Sequence, residues 1–181
     1  MDELIDILTP TGEPTGKSAM KSEAHKNGWF HGTVHVWVFT SSRKIVLQKR
    51  AMTKKVLPGL WDISAAGHIG AGESVIDAAK REVLEELGLD LKDQELMKIG
   101  TRVHQISHPN GIQDNEIHHV FLAELKKDFE TLHAQKAEID AIQLFDLEVL
   151  RTTKDLENIL LPRFHDYYNS IYNRIVQYLS H

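Results

Sequence analysis

The alternation of apolar and polar residues along the chain predicts a series of β-strands. In residues 34–38, three valines alternate with His35 and Trp37, which is the period of a strand with one buried face. Short apolar runs bounded by turn-forming residues indicate further strands. The predicted strands cover residues 4–8, 31–40, 45–49, 61–65, 96–105, 117–124 and 139–145.

The clearest predicted helix covers residues 74–87. Gly88 follows it, at a position where a glycine in the left-handed conformation commonly ends a helix. Apolar side chains recur at helical spacing and form one face that suits burial against a sheet. These residues are Ile76, Ala79, Val83 and Leu87.

Two further helical regions are predicted outside this segment. A short polar helix is expected within residues 18–27, after a turn-rich stretch at 9–16. From Leu147 the pattern becomes helical again and leads into a C-terminal helix at about 160–180. Its stripe of aromatic and apolar residues indicates packing on the core, and a dimer or membrane surface is the alternative. The order of strands and helices predicts a mixed α/β fold.

Composition narrows the function classes. The chain has 181 residues, which fits a single domain over 1–181, and its net charge of -5 argues against binding to a nucleic acid polymer. It contains no cysteine, which excludes disulfides, thiolate metal sites and cysteine nucleophiles. Apolar runs are too short for a membrane span, so a cytoplasmic protein is expected.

The helix at 74–87 carries a cluster of carboxylates. Glu82, Glu85 and Glu86 are spaced at i, i+3 and i+4, so they share one helix face. Like charges at this spacing repel one another unless a cation offsets them, and clustered hard oxygen ligands suit Mg²⁺ or Mn²⁺. An acidic, solvated helix face is the alternative interpretation of the three glutamates alone.

The residues around this cluster carry a resemblance to a known family. Residues 67–89 match G-x5-E-x7-R-E-U-x-E-E-x-G-U, where U is a bulky aliphatic residue, at every specified position. This pattern resembles the Nudix box, and the preceding Pro58-Gly59-Leu60-Trp61 is similar to the segment that often leads into it. The resemblance implies an α/β/α sandwich with a mixed sheet and an N-terminal extension at about 1–30. It also implies hydrolysis of a diphosphate linkage, in a nucleoside diphosphate derivative or a similar small molecule.

The resemblance also implies roles for particular residues. Glu82, Glu85 and Glu86 would bind Mg²⁺ or Mn²⁺, with the carbonyl of Gly67 as a further ligand. Arg81 would orient a carboxylate through charge-assisted hydrogen bonds. The catalytic group expected on this basis comprises Glu85, Glu86, Arg81 and Glu116, the last of which lies on a predicted strand outside the box.

A second resemblance covers roughly residues 3–150. The segments around His25, His31, Arg50–Lys55, Gly67-His68 and Asn110–Glu116 are similar to isopentenyl-diphosphate isomerase, a Nudix-fold enzyme that moves a double bond. It implies a second metal site, whose ligands would be His25, His31, His68 and Asp114 together with Glu116.

One residue departs from the isomerase pattern. The catalytic cysteine of the isomerases stands immediately before the Gly-His pair, and Ala66 occupies that position. Alanine cannot transfer a proton to carbon, so hydrolysis is favoured over isomerisation. The alternatives are an isomerase-like activity and a non-catalytic module that senses nucleotides.

The expected partner is a small-molecule diphosphate, and a homodimer is a further expectation. Arg50, Lys54 and Lys55 are candidates for binding substrate phosphates, and a solvated basic loop is the alternative for these three residues.

Overall fold

The computed structural model describes residues 2–54, 56–135, 137–151 and 164–180. The strands are β1 (Leu4–Leu8), β2 (Pro14–Met20), β3 (Phe30–Phe39), β4 (Lys44–Arg50), β5 (Trp61–Asp62), β6 (Ala65–His68), β7 (Met97–Ser107), β8 (Gln113–Glu124) and β9 (Ile139–Asp146). The helices are α1 (Lys21–Asn27), α2 (Val75–Leu87) and α3 (His165–Tyr178). Short 3₁₀ turns occur at Asp93–Glu95, Phe129–Thr131 and Leu147–Leu150.

Strand β3 lies at the centre of the sheet. It runs parallel to β8 and antiparallel to β1, β4 and β6. The remaining pairs are antiparallel: β2 with β1, β7 with β8, and both β5 and β9 with β4. Within the described residues, nine strands therefore form one mixed sheet.

The two faces of the sheet are buried under different helices. Val34, Val36 and Val38 of β3 pack with Ala79 and Val83 of α2. The alternate residues of the same strand, Trp37 and Phe39, pack with Tyr168, Ile171 and Ile175 of α3. Successive side chains of a strand point to opposite faces, so one strand contributes to both cores. The predicted α/β/α sandwich with a mixed sheet is confirmed.

Helix α2 agrees with its prediction at both ends. Ser74 is the N-cap, and its hydroxyl accepts a hydrogen bond from the Asp77 amide at 3.1 Å. Gly88 ends the helix with φ of 66°, in the left-handed conformation that glycine adopts without steric cost.

The loop before α2 is held by the first strand. The Ala71 amide donates to the Leu4 carbonyl at 2.9 Å, and the Gly72 amide donates to the Asp6 carboxylate at 2.9 Å. Ile5 also forms an isolated bridge with Gly70. The N-terminal hairpin of β1 and β2 therefore supports the entry to the glutamate-bearing helix.

Several predicted boundaries were wrong. Residues 14–20, expected as turn and helix, form β2, because pairing with β1 satisfies the backbone of this polar segment. The strand predicted at 61–65 is split into β5 and β6 by Ser64. The Ser64 hydroxyl donates to the Val46 carbonyl at 2.5 Å and accepts from the Val38 amide at 2.7 Å.

The C-terminal prediction is tested only in part. Directly after Leu147 the chain forms a 3₁₀ turn rather than an α-helix. Residues 152–163 lie outside the described part of the chain, and so does the start of the helix predicted at 160–180. The remainder of that helix is α3, which packs on the core as expected. No helix among the described residues is long and apolar enough to cross a membrane.

Candidate active site

A cavity of about 990 Å³ opens beside β3, β6 and the exposed side of α2. It brings together most of the candidate residues that lie far apart in the chain. Those lining it are His25, Arg50, Lys54, Gly67, His68, Arg81, Glu82, Glu85, Asp114 and Glu116. His31 and Glu86 are buried at its margin, and Lys55 lies outside the described residues.

Glu86 is held by two donors. The side chain of Gln48 donates to its Oε2 at 2.8 Å, and the amide of Ala66 donates to the same oxygen at 3.0 Å. The residue is only 5% exposed. Burial raises the pKa of Glu86 to about 8, against the opposing effect of the Ala66 hydrogen bond. A nearby cation would favour its ionised form.

Glu82 packs directly against the backbone of Gly67. A Cβ atom on Gly67 would overlap the Glu82 carboxylate, so only glycine permits this approach. Burial raises the pKa of Glu82, and the charge of Arg81 opposes the shift. Glu85, in contrast, is exposed, and its carboxylate lies 3.5 Å from Arg81 Nη1.

Arg81 ties the glycine-rich loop to α2. Its Nε and Nη2 donate to the two oxygens of Glu73 at 2.8 and 2.9 Å, forming a bidentate pair. Nη1 donates to Glu82 at 2.6 Å, and Nη2 also donates to the carbonyl of His68 at 2.9 Å. Glu73 in turn accepts from the Gly70 amide at 2.8 Å. Arg81 thus donates hydrogen bonds to both Glu73 and Glu82.

These groups fit a divalent cation. The three glutamates and the Gly67 carbonyl offer hard oxygen ligands, which Mg²⁺ and Mn²⁺ prefer. Two of the carboxylates are buried with raised pKa values, and the close approach at Gly67 leaves no room for a side chain. Glu82, Glu85, Glu86 and the Gly67 carbonyl are the residues that would hold the ion.

A second cluster lies across the cavity. One ligand atom from each of His25, His31, His68 and Glu116 lies within 4.8 Å of the others. His25 Nε2 is 3.1 Å from His68 Nε2, and His31 Nε2 is buried with no hydrogen-bond partner among the described residues. The carboxylate Oε1 of Glu116 is 3.8 Å from Nε2 of both His31 and His68.

The outer nitrogens of two of these histidines are fixed by the protein. His31 Nδ1 donates to the Trp29 carbonyl at 2.9 Å, and His25 Nδ1 lies 3.0 Å from the Asp114 carboxylate. Metal-binding histidines characteristically use the second nitrogen in this way. The structure does not bring Asp114 into the inner group: it lies behind His25 and also contacts His108 Nε2 at 2.6 Å.

Glu116 is half-buried, with 14% of its side chain exposed. Burial opposes ionisation, but hydrogen bonding, most of all with His118 Nε2 at 2.8 Å, holds the pKa of Glu116 well below its ordinary range. Its position follows from the parallel pairing of β3 and β8, which sets His31 opposite Glu116. In His68, burial lowers the pKa to about 3, so this ring is neutral and able to bind a metal.

The chain is similar to known proteins over most of its length. The NUDIX domain family model matches residues 29–165. The chain belongs to the Nudix family. It is 36% identical over 154 residues to Nudix hydrolase 3 of Arabidopsis thaliana, covering 83% of this chain and 20% of that protein. This chain thus spans about a fifth of the Arabidopsis protein's length.

An isomerase and a solved structure are also similar. Isopentenyl-diphosphate Delta-isomerase 2 of Photorhabdus laumondii is 34% identical over 128 residues, which is 71% of this chain and 70% of that protein. The crystal structure of DR0079 from Deinococcus radiodurans has a TM-score of 0.68 at 16% identity and covers 93% of this chain and 98% of that one. The chain is therefore a Nudix hydrolase domain of a subgroup related to the isomerases.

The candidate phosphate-binding cations of this Nudix domain already have partners. Arg50 Nη1 donates to Asp62 at 3.0 Å, and its Nε and Nη2 donate to the Val56 carbonyl at 3.1 and 3.0 Å. Lys54 forms an ion pair with Glu138. Both side chains line the cavity, so a phosphate would have to share them with these acids or displace the acids.

Sequence reasoning missed several residues of the site. Gln48 stands out only as a polar residue in the apolar strand β4. Arg102 and His104 alternate with exposed residues of β7, a pattern that predicts a strand but not the cavity that its polar face lines. Tyr167 belongs by its spacing to the apolar stripe of the C-terminal helix, yet it lines the cavity.

Proposed function

We propose that this domain hydrolyses a diphosphate linkage in a nucleoside diphosphate derivative or a similar small molecule, with Mg²⁺ or Mn²⁺ as cofactor. One observation carries the proposal: the buried Glu86 accepts a hydrogen bond from the amide of Ala66. Ala66 stands at the position where the isomerases have their catalytic cysteine. The carboxylate cluster is thus kept intact and oriented, while the proton-transferring thiol of the isomerases is absent.

In the proposed mechanism, the substrate diphosphate lies between α2 and the cationic rim of the cavity. Glu82, Glu85, Glu86 and the Gly67 carbonyl would hold the cation, and Arg81 donates a hydrogen bond to Glu82. When bound, the cation neutralises charge on the phosphoryl oxygens and acidifies the attacking water. Water attacks one phosphorus atom, the bridging P–O bond breaks, and two phosphorylated products leave.

The proton of the attacking water needs an acceptor. Glu85 is the exposed member of the helix cluster, and Glu116 faces the cavity from β8. Both are carboxylates that can accept a proton. Arg50 and Lys54 at the rim of the cavity would bind the phosphate oxygens. The phosphate would then share these two cations with their present partners, Asp62 and Glu138, or displace those acids.

The proposal includes a second cation at the histidine cluster. Its inner atoms would be Nε2 of His25, His31 and His68 and a carboxylate oxygen of Glu116. A set of three imidazoles and one carboxylate suits Mn²⁺ or Zn²⁺ better than Mg²⁺. The buried, unpartnered Nε2 of His31 supports this assignment, because an unsatisfied polar atom in the interior is costly. Titration with Mn²⁺ or Zn²⁺ should give one site fewer in His31→Ala than in the native chain.

The test of hydrolysis is product release from a panel of diphosphates with Mg²⁺. Glu86→Gln should lower kcat/KM by at least about 100-fold, as loss of one transition-state stabilising group does. Glu130→Gln, which changes an exposed acid remote from the cavity, serves as the control and should leave turnover unchanged. Equal turnover by the native chain and Glu86→Gln would contradict the assignment of α2.

The alternatives are tested with the same protein. Incubation with isopentenyl diphosphate should give no allylic isomer, because Ala66 cannot transfer a proton. Formation of the isomer would favour the isomerase alternative. Tight nucleotide binding without turnover, across the panel and with several metals, would favour a sensing module.

A further inference from the structure

The part of the cavity farthest from α2 contains a cation with unusual surroundings. Arg102 on β7 is half-buried, and its guanidinium lies 4.3 Å from the ring centroid of Tyr167 and 5.2 Å from that of Phe164. Among the described residues, no carboxylate forms an ion pair with Arg102. Burial lowers the pKa of Arg102, but the group stays charged.

The sheet register directs Arg102 into the cavity. Arg102 pairs with His118, and His104 pairs with Glu116, so all four side chains lie on one face of the sheet. Both Arg102 and His104 line the cavity. The Lys98 side chain, on the same strand, is exposed and does not line it.

The imidazoles of His35 and His104 line the same cavity as the guanidinium. Trp37 Nε1 donates to the Tyr167 oxygen at 2.8 Å, and that hydroxyl lies 3.1 Å from His35 Nδ1. If the hydroxyl donates to Nδ1, the proton of His35 is on Nε2, which makes Nε2 a donor.

Because the described residues supply no acidic partner, the half-buried guanidinium of Arg102 loses hydration and gains only weak ring contacts in return. An anion bound beside it would recover that cost through charge-assisted, bidentate hydrogen bonds. Ring N–H groups of His35 and His104 would add donors.

We propose that Arg102, with His35 and His104, binds a second anionic group of the substrate, a carboxylate or a phosphate monoester on the moiety beyond the diphosphate. This inference rests on the proposed function and narrows its substrate class. Arg102 lies on β7, and the loop before α2 follows β6. The pairs β7–β8, β8–β3 and β3–β6 place three strand spacings between them, which is about 14 Å. That distance leaves room for a sugar-sized unit between the diphosphate and the second anion.

Two matched substrate pairs test the proposal. UDP-glucuronate differs from UDP-glucose by a carboxylate, and 2′-phospho-ADP-ribose differs from ADP-ribose by a phosphate. The measured quantity is the ratio of kcat/KM for the substrate with the additional anionic group over its counterpart without that group, and the two pairs distinguish carboxylate from phosphate. The native ratio should exceed about 10 for at least one pair. A native ratio near one for both pairs overturns the inference, and this result needs no variant.

Variants then assign the effect to the guanidinium. Arg102→Met keeps the packing on Phe164 and Tyr167 and should lower the ratio by about 10- to 100-fold. Arg102→Lys keeps the charge without the planar fork and should give an intermediate ratio. Lys98→Met removes an exposed cation from the same strand and should leave the ratio and the turnover unchanged. A ratio in Arg102→Met equal to the native one, or an equal loss in Lys98→Met, overturns the inference.

Equilibrium binding separates this inference from the proposed function. The same four compounds are titrated calorimetrically into the native chain and Arg102→Met with EDTA present. If no compound is hydrolysed, the proposed function fails, and the ratio of dissociation constants still decides the role of Arg102. If hydrolysis occurs with both ratios near one, the proposed function stands and the anion subsite does not.

Discussion

Replacing Glu86 with glutamine should remove a pH dependence of folding stability in the metal-free protein. Glutamine has the shape of a protonated glutamate, and its carbonyl oxygen can accept the hydrogen bonds that Gln48 and Ala66 now donate. The variant therefore removes the ionisation of Glu86 while keeping its packing. Any difference in pH dependence between the two proteins belongs to that one carboxyl group.

The sign and size follow from the raised pKa. Burial moves the pKa of Glu86 from 4.5 to about 8, so folding favours its protonated form. The stability that this form contributes is fully present below pH 4.5 and is lost as the pH rises towards about 8. At about 1.4 kcal/mol per pKa unit, the loss between about pH 5.5 and 8.5 is on the order of 3 kcal/mol.

Urea denaturation with EDTA at these two pH values measures the effect. The stability of Glu86→Gln relative to the native chain should rise by about 3 kcal/mol from the lower to the higher pH. Glu130→Gln should track the native chain. With saturating Mg²⁺ at the higher pH, the native chain should regain stability and Glu86→Gln should gain much less, because the cation binds the ionised carboxylate. Parallel stability curves for the two proteins in EDTA would refute the reasoning.

Substitutions at three further positions probe the groups around the two clusters. Gly67→Ala should lower Mg²⁺-dependent kcat/KM by at least about 10-fold, because the new Cβ displaces the adjoining carboxylate; a native Mg²⁺ titration curve would contradict this. Gln48→Leu removes the side-chain donor to Glu86 and should reduce kcat by about 10-fold. Gln48→Glu also adds charge repulsion and should reduce kcat further. Steady-state kinetics measure both effects. Asp114→Asn should weaken Mn²⁺ or Zn²⁺ binding at the histidine cluster by about 10- to 100-fold in a chelator competition, and unchanged affinity would exclude a supporting role for Asp114.

The helix cluster could be predicted from the sequence because its information is local. Spacing along one helix determines that Glu82, Glu85 and Glu86 share a face, and the capping residues at Ser74 and Gly88 mark where that helix begins and ends. The spacing does not predict that Glu82 and Glu86 are buried while Glu85 is exposed. This difference in burial depends on Gln48 and on the strand β6, which reach α2 only after the sheet has formed.

The histidine cluster required tertiary information. His31 and Glu116 become neighbours through a parallel strand pairing that no local pattern specifies. The resemblance to the isomerases named three histidines that the structure brings together, whereas the distinction between Asp114 and Glu116 emerged only from the contacts at His25. Arg102 was missed because an isolated arginine in a strand has no local signal for the cavity that it faces.

Strand β1 accepts hydrogen bonds from the loop before α2. The segment that matches the family model therefore does not contain all the residues that support the site. The family match begins at residue 29, yet Leu4 and Asp6 hold the Ala71 and Gly72 amides, and His25 also lies before the match. A chain shortened to residues 29–181 would keep every residue of the Nudix box. It would still lose one inner histidine and the support of the loop that leads into α2. Trimming to the family limits should thus impair both clusters at once.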